Sequence, residues 1–199
     1  MAILPIARMG SPVLRARARE VADPTHPDIA RLVQDMMETM YAVGGAGIAA
    51  PQVHVSERVV LYTVPPARST GAPDDQPQPL TAIVNPVIEP LLDDKGGEEM
   101  VLGWEGCLSL PGLRGAVPRF ARVRYSGWLP TGERIERVAS GWHARVVQHE
   151  FDHLDGILYP QRMTDLSLFG FSDELNQAAL AAGEAAPTPG EPVGLEDEE

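Results

Sequence analysis

Cysteine is almost missing from this chain: among 199 residues there is one, Cys107. An internal disulfide is therefore excluded, and the composition suits a reducing compartment. Long apolar runs are missing as well, and none reaches the ~20 residues of a membrane-spanning helix. The start, Ile3-Leu4-Pro5-Ile6 running into Arg8, Arg15, Arg17 and Arg19, lacks the apolar stretch of a secretion signal, so a cytoplasmic location is expected. Positive charge is scarce. Sixteen Lys and Arg stand against 28 Asp and Glu, and a net charge of −12 argues against non-specific binding to nucleic acid or anionic membrane. Residues 172–199 contain no Lys or Arg, and 183–199 alone hold six acids: Glu184, Glu191, Glu196, Asp197, Glu198 and Glu199.

What remains is an ordinary globular composition, 44% hydrophobic and 22% charged, on a chain long enough for one domain with a proper core. Residues 1–24 read as an irregular arm with turns at Ser11-Pro12 and Asp23-Pro24. From Pro27 to Tyr41, Ile29, Leu32, Val33, Met36, Met37 and Met40 recur at helical spacing, which predicts an amphipathic helix ended by Gly44-Gly45. Its methionines read as core filling. Gly45-Ala46-Gly47-Ile48-Ala49-Ala50 formally fits a dinucleotide fingerprint, but that motif must follow a strand and open a helix, whereas here a helix precedes it and Pro51 follows. A tight loop whose glycines let backbone approach a ligand closely is the better reading, with a plain connector as the alternative. Residues 65–79, rich in Pro, Gly and Asp, read as a flexible surface insertion. Strands are expected at 81–84, 87–91, 122–128 and 133–139, the last two joined as a hairpin through Pro130-Thr131-Gly132. A short helix is expected over 173–182, followed by a disordered end rich in Pro, Gly and Glu.

Two stretches carry chemistry. Gln148-His149-Glu150-Phe151-Asp152-His153-Leu154 contains H-E-x-x-H. On a helix His149 and His153 share a face with Cβ atoms roughly 5–6 Å apart, close enough for two imidazoles to reach one metal ion while Glu150 handles the protons of a water. Trp142, Val146, His149, Glu150 and His153 follow one helical stripe, bounded by Gly141 and Gly156. The bare pattern also arises by chance. The second stretch is Glu105-Gly106-Cys107-Leu108-Ser109. Its thiol could be a small buried hydrophobe, a nucleophile beside a histidine, or a metal ligand. In the third case Cys107, His149 and His153 make three protein ligands with one position open, as in a catalytic rather than a structural site. His26, His54 and His143 have no partner spacing.

Gly45-Ala-Gly-Ile-Ala-Ala-Pro-Gln52, Glu105-Gly-Cys-Leu-Ser109 and Gln148-His-Glu-Phe-Asp-His-Leu154, in that order, resemble the three motifs of the peptide deformylase family, and Gly10-Ser-Pro-Val-Leu-Arg15 is similar to its opening segment. The resemblance covers roughly residues 3–170. It implies hydrolysis of the formyl group from the N-terminal formylmethionine of nascent polypeptides. It also implies Cys107, His149 and His153 as ligands of one divalent metal, with Fe2+ favoured and Zn2+, Ni2+ or Co2+ as substitutes. Glu150 becomes the general base and acid, and Gln52 and the Leu108 N–H polarise the formyl oxygen. The backbone of Gly45, Ala46, Gly47 and Ile48 would hold the peptide extended, and Arg114 resembles a family arginine at the cleft. Trp142 and Val146, two turns and one turn before His149 on the same helix, either wall a methionine pocket or are plain core. Val43 and Gly44 stand where the family often has acidic residues, and Ala46 replaces a commonly larger aliphatic.

The expected fold class is α+β: antiparallel or mixed sheets around a central helix bearing H-E-x-x-H, with an N-terminal amphipathic helix. Residues 1–171 form the expected catalytic domain and 172–199 a short helix plus an acidic disordered tail. Ribosome docking through that tail is not expected, because phosphates repel acids. One rival is a zinc endopeptidase with His149, His153 and Glu174 as ligands; the other is a non-catalytic metal-binding module.

Overall fold

The apolar stripe after Pro27, a residue with no N–H to lose in a first helical turn, forms α1 at Pro27–Ala42. Its inward face is Ile29, Met36, Thr39 and Met40. Gly44 then takes a positive φ of 69° and Gly45 N–H reaches back to the Met40 carbonyl at 2.9 Å, closing the helix. The computed structural model describes residues 3–93, 96–183, 185–186, 188–190 and 193. After α1 come β1 (Gly47–Ala49), β2 (Val59–Val64), β3 (Gln78–Pro90), β4 (Met100–Cys107), β5 (Leu110–Phe120), β6 (Arg122–Trp128) and β7 (Arg134–Ser140). Helix α2 (Gly141–Leu154), β8 (Phe169–Phe171) and α3 (Ser172–Ala182) complete the order. The strands form two antiparallel sheets, β1-β2-β3-β6-β7 and β4-β5-β8. The fold class is α+β, with three α-helices among the described residues.

Strand β2 organises the packing because its alternation is apolar on both faces. Val60, Tyr62 and Val64 point into a core with Val147, Phe151 and Leu154 of α2, while Val59 and Leu61 join Met36 and Met40 of α1 on the other side. The larger sheet is thus sandwiched between the two helices. Each fully buried aliphatic side chain contributes about 1.5–3 kcal/mol.

Several local expectations are corrected. The segment expected as a tight loop is partly strand, since Gly47, Ile48 and Ala49 pair with Tyr62, Leu61 and Val60. The strands expected at 81–84 and 87–91 are one strand, β3, whose register shifts between Val84 and Val87. There Asn85 takes φ 51° and its side-chain amide binds both the N–H and the carbonyl of Val21. The hairpin β4–β5 has no counterpart in the expected strands, because Gly and Pro at 103, 106, 111, 112, 115 and 118 interrupt its alternation.

The 65–79 segment is anchored rather than loose. Asp75 is fully buried, accepts the N–H and hydroxyl of Thr70 at 2.8 Å each, and accepts the His143 N–H at 3.3 Å. Ser140, the residue before α2, makes no side-chain cap, so Asp75 from another part of the chain satisfies the helix start in its place. Gly141 permits this: its φ is 55°, and a Cβ there would lie 2.6 Å from the Asp75 carboxylate. Of the tail expected to be disordered, Gly190 and Val193 donate backbone hydrogen bonds to Trp104 and Leu102. The terminal run 194–199 lies outside the described residues.

Candidate metal centre

Helix α2 is enclosed on all sides, and every residue from His143 to Leu154 is buried. One turn separates His149 from His153, and their ring centroids lie 5.0 Å apart. Cys107, the last residue of β4, faces them, with Sγ 3.3 Å from His153 Nε2. Ligand atoms of Cys107, His149 and His153 all lie within 4.8 Å of one another, the one such group of three or more His, Cys, Asp or Glu found among the described residues. Thiolate plus two imidazoles is a donor set suited to a single divalent transition metal, and three protein donors leave a position for a reactant. Glu174, the third ligand of the endopeptidase alternative, is on α3 and outside this group.

Behind the triad lies a buried ionic network. Glu105 is two residues before Cys107 on β4. Its Oε2 is 2.8 Å from His149 Nδ1, and its two oxygens accept from Arg119 at 2.9 and 3.0 Å. Arg145 of α2 donates to the same carboxylate at 2.9 Å, while Arg119 also reaches Asp152 and Arg162 covers the outer side of Asp152 at 2.7 Å. Two carboxylates thus meet three guanidiniums, so no charge is left buried without a partner. Burial pushes the Glu105 carboxyl up, but the Arg119 charge and the hydrogen bonds from His149 and Arg119 outweigh it and hold it well below the usual carboxylate range. Glu105 is therefore anionic and fixes His149 through Nδ1, leaving Nε2 to face Cys107. Burial pushes His149 down, yet hydrogen bonds to Cys107 and Glu105 lift it well above an ordinary imidazole; His153 is pushed well down by burial and by the charges of His149 and Arg119. Proton and metal ion are alternatives at His149, because binding a cation releases the proton.

Glu150 lies beside the triad and takes no part in the ionic network. Burial raises its carboxyl to about 7, with the Glu105 charge adding to the rise and those of His149 and Arg119 opposing it. Its Oε2 is buried with no hydrogen-bond partner among the described residues. A Cβ on Gly47 would stand 2.2 Å from Glu150 Oε1, so the first motif needs glycine there to make room for this carboxylate. Gln52 is buried as well. Its Oε1 accepts the Ala49 N–H at 2.8 Å, which turns Nε2 toward Ser109 Oγ (3.2 Å) and Cys107 Sγ (3.5 Å). The N-terminal arm ties these two motifs together through Ala7 N–H to the Gln52 carbonyl and Met9 N–H to the Ser109 carbonyl, both 2.8 Å.

The triad opens into a cleft of about 960 Å³ lined by Gly45, Ala46, Gly47, Gln52, Cys107, Leu108, Arg114, Trp142, Val146, His149 and Glu150. The side chain of Ile48 alternates away from Gly47, is fully buried, and packs with Met36 and Met40 under α1. Arg114 donates to Asn176 of α3 at 3.2 Å, which joins the cleft wall to the C-terminal helix. Glu105, Arg119, Arg145 and Asp152 had no assigned role in the sequence. The spacing Glu105-x-Cys107 on a strand was the available signal, since it puts both side chains on one face.

With this geometry established, similarity to known proteins is specific. The sequence profile of the family described as polypeptide deformylase matches residues 3–168. Peptide deformylase 1 of Nitrosomonas europaea is 49% identical over 173 residues, 87% of this chain and 94% of the relative. Peptide deformylase 1 of Bordetella pertussis is 50% identical over 170 residues, 85% and 93% of the two chains. Among solved structures, the class I type b peptide deformylase from Acinetobacter baumannii with Met-Ala-Ser bound superimposes with a TM-score of 0.71 at 38% identity, over 81% of this chain and 99% of that one. Peptide deformylase from Ehrlichia chaffeensis in complex with actinonin gives 0.74 at 32% identity, over 84% and 92%. By profile, sequence and fold alike, this chain belongs to the polypeptide deformylase family.

Proposed function

We propose that this protein hydrolyses the N-formyl group from the N-terminal formylmethionine of nascent polypeptides in the cytoplasm, releasing formate. The observation that carries the reading is the Cys107–His149–His153 donor group, beside Glu150, lining a cleft. Residues 1–171 are the catalytic part, built around the H-E-x-x-H helix, and 172–199 an appendage. Cys107, His149 and His153 hold one divalent ion. Thiolate and imidazole admit Fe2+, Zn2+, Ni2+ or Co2+, and family resemblance favours Fe2+. Bound there, the ion supplies Lewis acidity and brings the pKa of water toward ~7.

The chain's own residues supply the rest. Glu150, with a carboxyl raised to about 7, is matched to accept a proton from water near neutrality and to return it to the leaving amine. Gln52 Nε2, oriented by Ala49 N–H, and the Leu108 N–H donate to the formyl oxygen as it gains negative charge. Each such donor contributes on the order of 3 kcal/mol. The backbone around Gly45, Ala46 and Gly47 offers main-chain groups to an extended peptide. Trp142 and Val146 form the apolar wall for methionine, and Arg114 borders the chain that follows. The Met-Ala-Ser bound by the Acinetobacter relative supports a peptide that begins with methionine. Residues 172–199 carry no Lys or Arg, so that segment is not a ribosome- or nucleic-acid-docking element.

The direct test compares formyl-Met-Ala-Ser with acetyl-Met-Ala-Ser. Formate should be released much faster than acetate, because the extra methyl must fit between Gln52 and the triad. Equal rates, or cleavage of internal peptide bonds, would reject the reading in favour of the endopeptidase.

A further inference from the structure

Strand β4 is the outer strand of its sheet, and its exposed edge leads directly to Cys107. Alternation puts the carbonyls of Leu102, Trp104 and Gly106 in one row along that edge. Two of the three are taken by the chain's own C-terminal segment: Gly190 N–H donates to the Trp104 carbonyl at 2.6 Å and Val193 N–H to the Leu102 carbonyl at 3.0 Å. From Gly190 to Val193 the contacts pass from Trp104 back to Leu102, opposite to the direction of β4. A third anchor is Arg68, whose guanidinium donates to the Pro189 carbonyl. Gly190 packs close against the Trp142 indole, so that a Cβ there would stand 2.2 Å from the ring, and its φ of 89° favours glycine independently. Pro189 and Gly190 line the same cleft as Cys107, Trp142 and Glu150. Charge agrees with docking: Arg8 and Arg68 stand at the cleft, while 183–199 hold six acids and no base.

We propose that the outer edge of β4 is a docking strip for the C-terminal segment carrying Pro189, Gly190 and Val193, which competes there in cis with the peptide substrate. The inference rests on the deformylase reading for what the segment displaces, but not for the docking itself. An extended peptide drawn toward Cys107 seeks main-chain partners on this edge and apolar contact with Trp142, and the docked segment occupies both. The competent fraction is then the fraction of molecules with the segment undocked, and apparent affinity falls in proportion.

Two substitutions in the metal-loaded full-length protein test this. Gly190→Ala adds the colliding Cβ, and Val193→Pro removes the N–H given to Leu102. In the unsubstituted protein, amide exchange at Gly190 and Val193 should be slower than in an unstructured peptide. Gly190 exchange should quicken in both variants, and Val193 exchange in Gly190→Ala. Met-Ala-Ser should bind both variants at least about threefold more tightly, the shift expected if roughly two-thirds of molecules are docked. KM for formyl-Met-Ala-Ser should fall in parallel, with kcat within about twofold. Unprotected amides in the unsubstituted protein, or unchanged Met-Ala-Ser affinity in variants that have lost protection, would overturn the proposal. Absence of formate release from every form would instead reject the deformylase reading, while exchange and Met-Ala-Ser binding still decide the docking.

Discussion

The two ends of α2 each bury histidine in a polar cluster, yet the clusters treat it in opposite ways. At the N-terminal end His143 Nε2 meets the Tyr125 hydroxyl at 2.8 Å, which meets the Tyr62 hydroxyl at 2.6 Å, which in turn accepts from Arg137 at 3.0 Å. Burial, with the Arg137 charge in support and Asp75 opposing, pushes His143 down to about 4. Two turns later His149 rests on anionic Glu105 and is pushed up. Burial favours the neutral ring in both places. What differs is the partner: tyrosine hydroxyls leave the ring neutral, whereas a carboxylate held by two arginines makes it a charged donor or, with a cation on the other nitrogen, an oriented ligand. One cluster therefore holds the helix in the fold, and the other orients the proposed metal ligand His149.

Breaking the ligand side should have the largest effect. Cys107→Ala should abolish metal-dependent formate release and lower bound metal, a loss beyond the ~100-fold that removing a partner of a ligand costs. Glu174→Gln, measured alongside, should leave both nearly unchanged; the reverse pattern would favour the endopeptidase. Next comes Glu105→Gln, which keeps a hydrogen-bond acceptor for His149 but removes the charge. Metal affinity should fall roughly 10–100-fold, measured by competition with a chelator. Unchanged affinity would mean that Glu105 serves the fold alone.

The smallest effect belongs to the neutral cluster. Between pH 6.5 and about 4 the unfolded chain binds a proton at His143 and the folded chain does not. Stability from this residue is thus complete above pH 6.5 and drains away as pH falls toward 4. In His143→Gln that contribution is absent, so the fall in stability across the window should be shallower by up to about 1.4 kcal/mol per pH unit. Denaturant titration at several pH values measures it, and identical slopes would refute the assignment.

Much of the Cys107–His149–His153 cluster was legible in the sequence, because its determinants are local. H-E-x-x-H fixes two donors one turn apart whatever surrounds them, and a single cysteine leaves few ways to complete the set. Glu105 was half legible: strand period puts it beside Cys107, but Arg119, Arg145 and Asp152 come from other elements and no local pattern announces them. Strands β4 and β5 escaped because their glycines and prolines read as turns; at Gly115 the reason is tertiary, since a Cβ would stand 2.6 Å from Met163 Sδ. Asp75 looked like one more loop acid, although it closes the start of a helix some 65 residues later, a distance beyond any pattern argument. The side chain of Ile48 serves the core under α1, which leaves only its backbone for the expected peptide contact.

The proposed division of labour on α2 has Glu150 moving protons without holding the metal. Glu150→Gln, assayed for metal content per chain and for formate release from formyl-Met-Ala-Ser, tests it in one preparation. Metal content should equal that of the unsubstituted protein while turnover falls at least ~100-fold. Formate release near the unsubstituted rate, or loss of the metal together with activity, would contradict it.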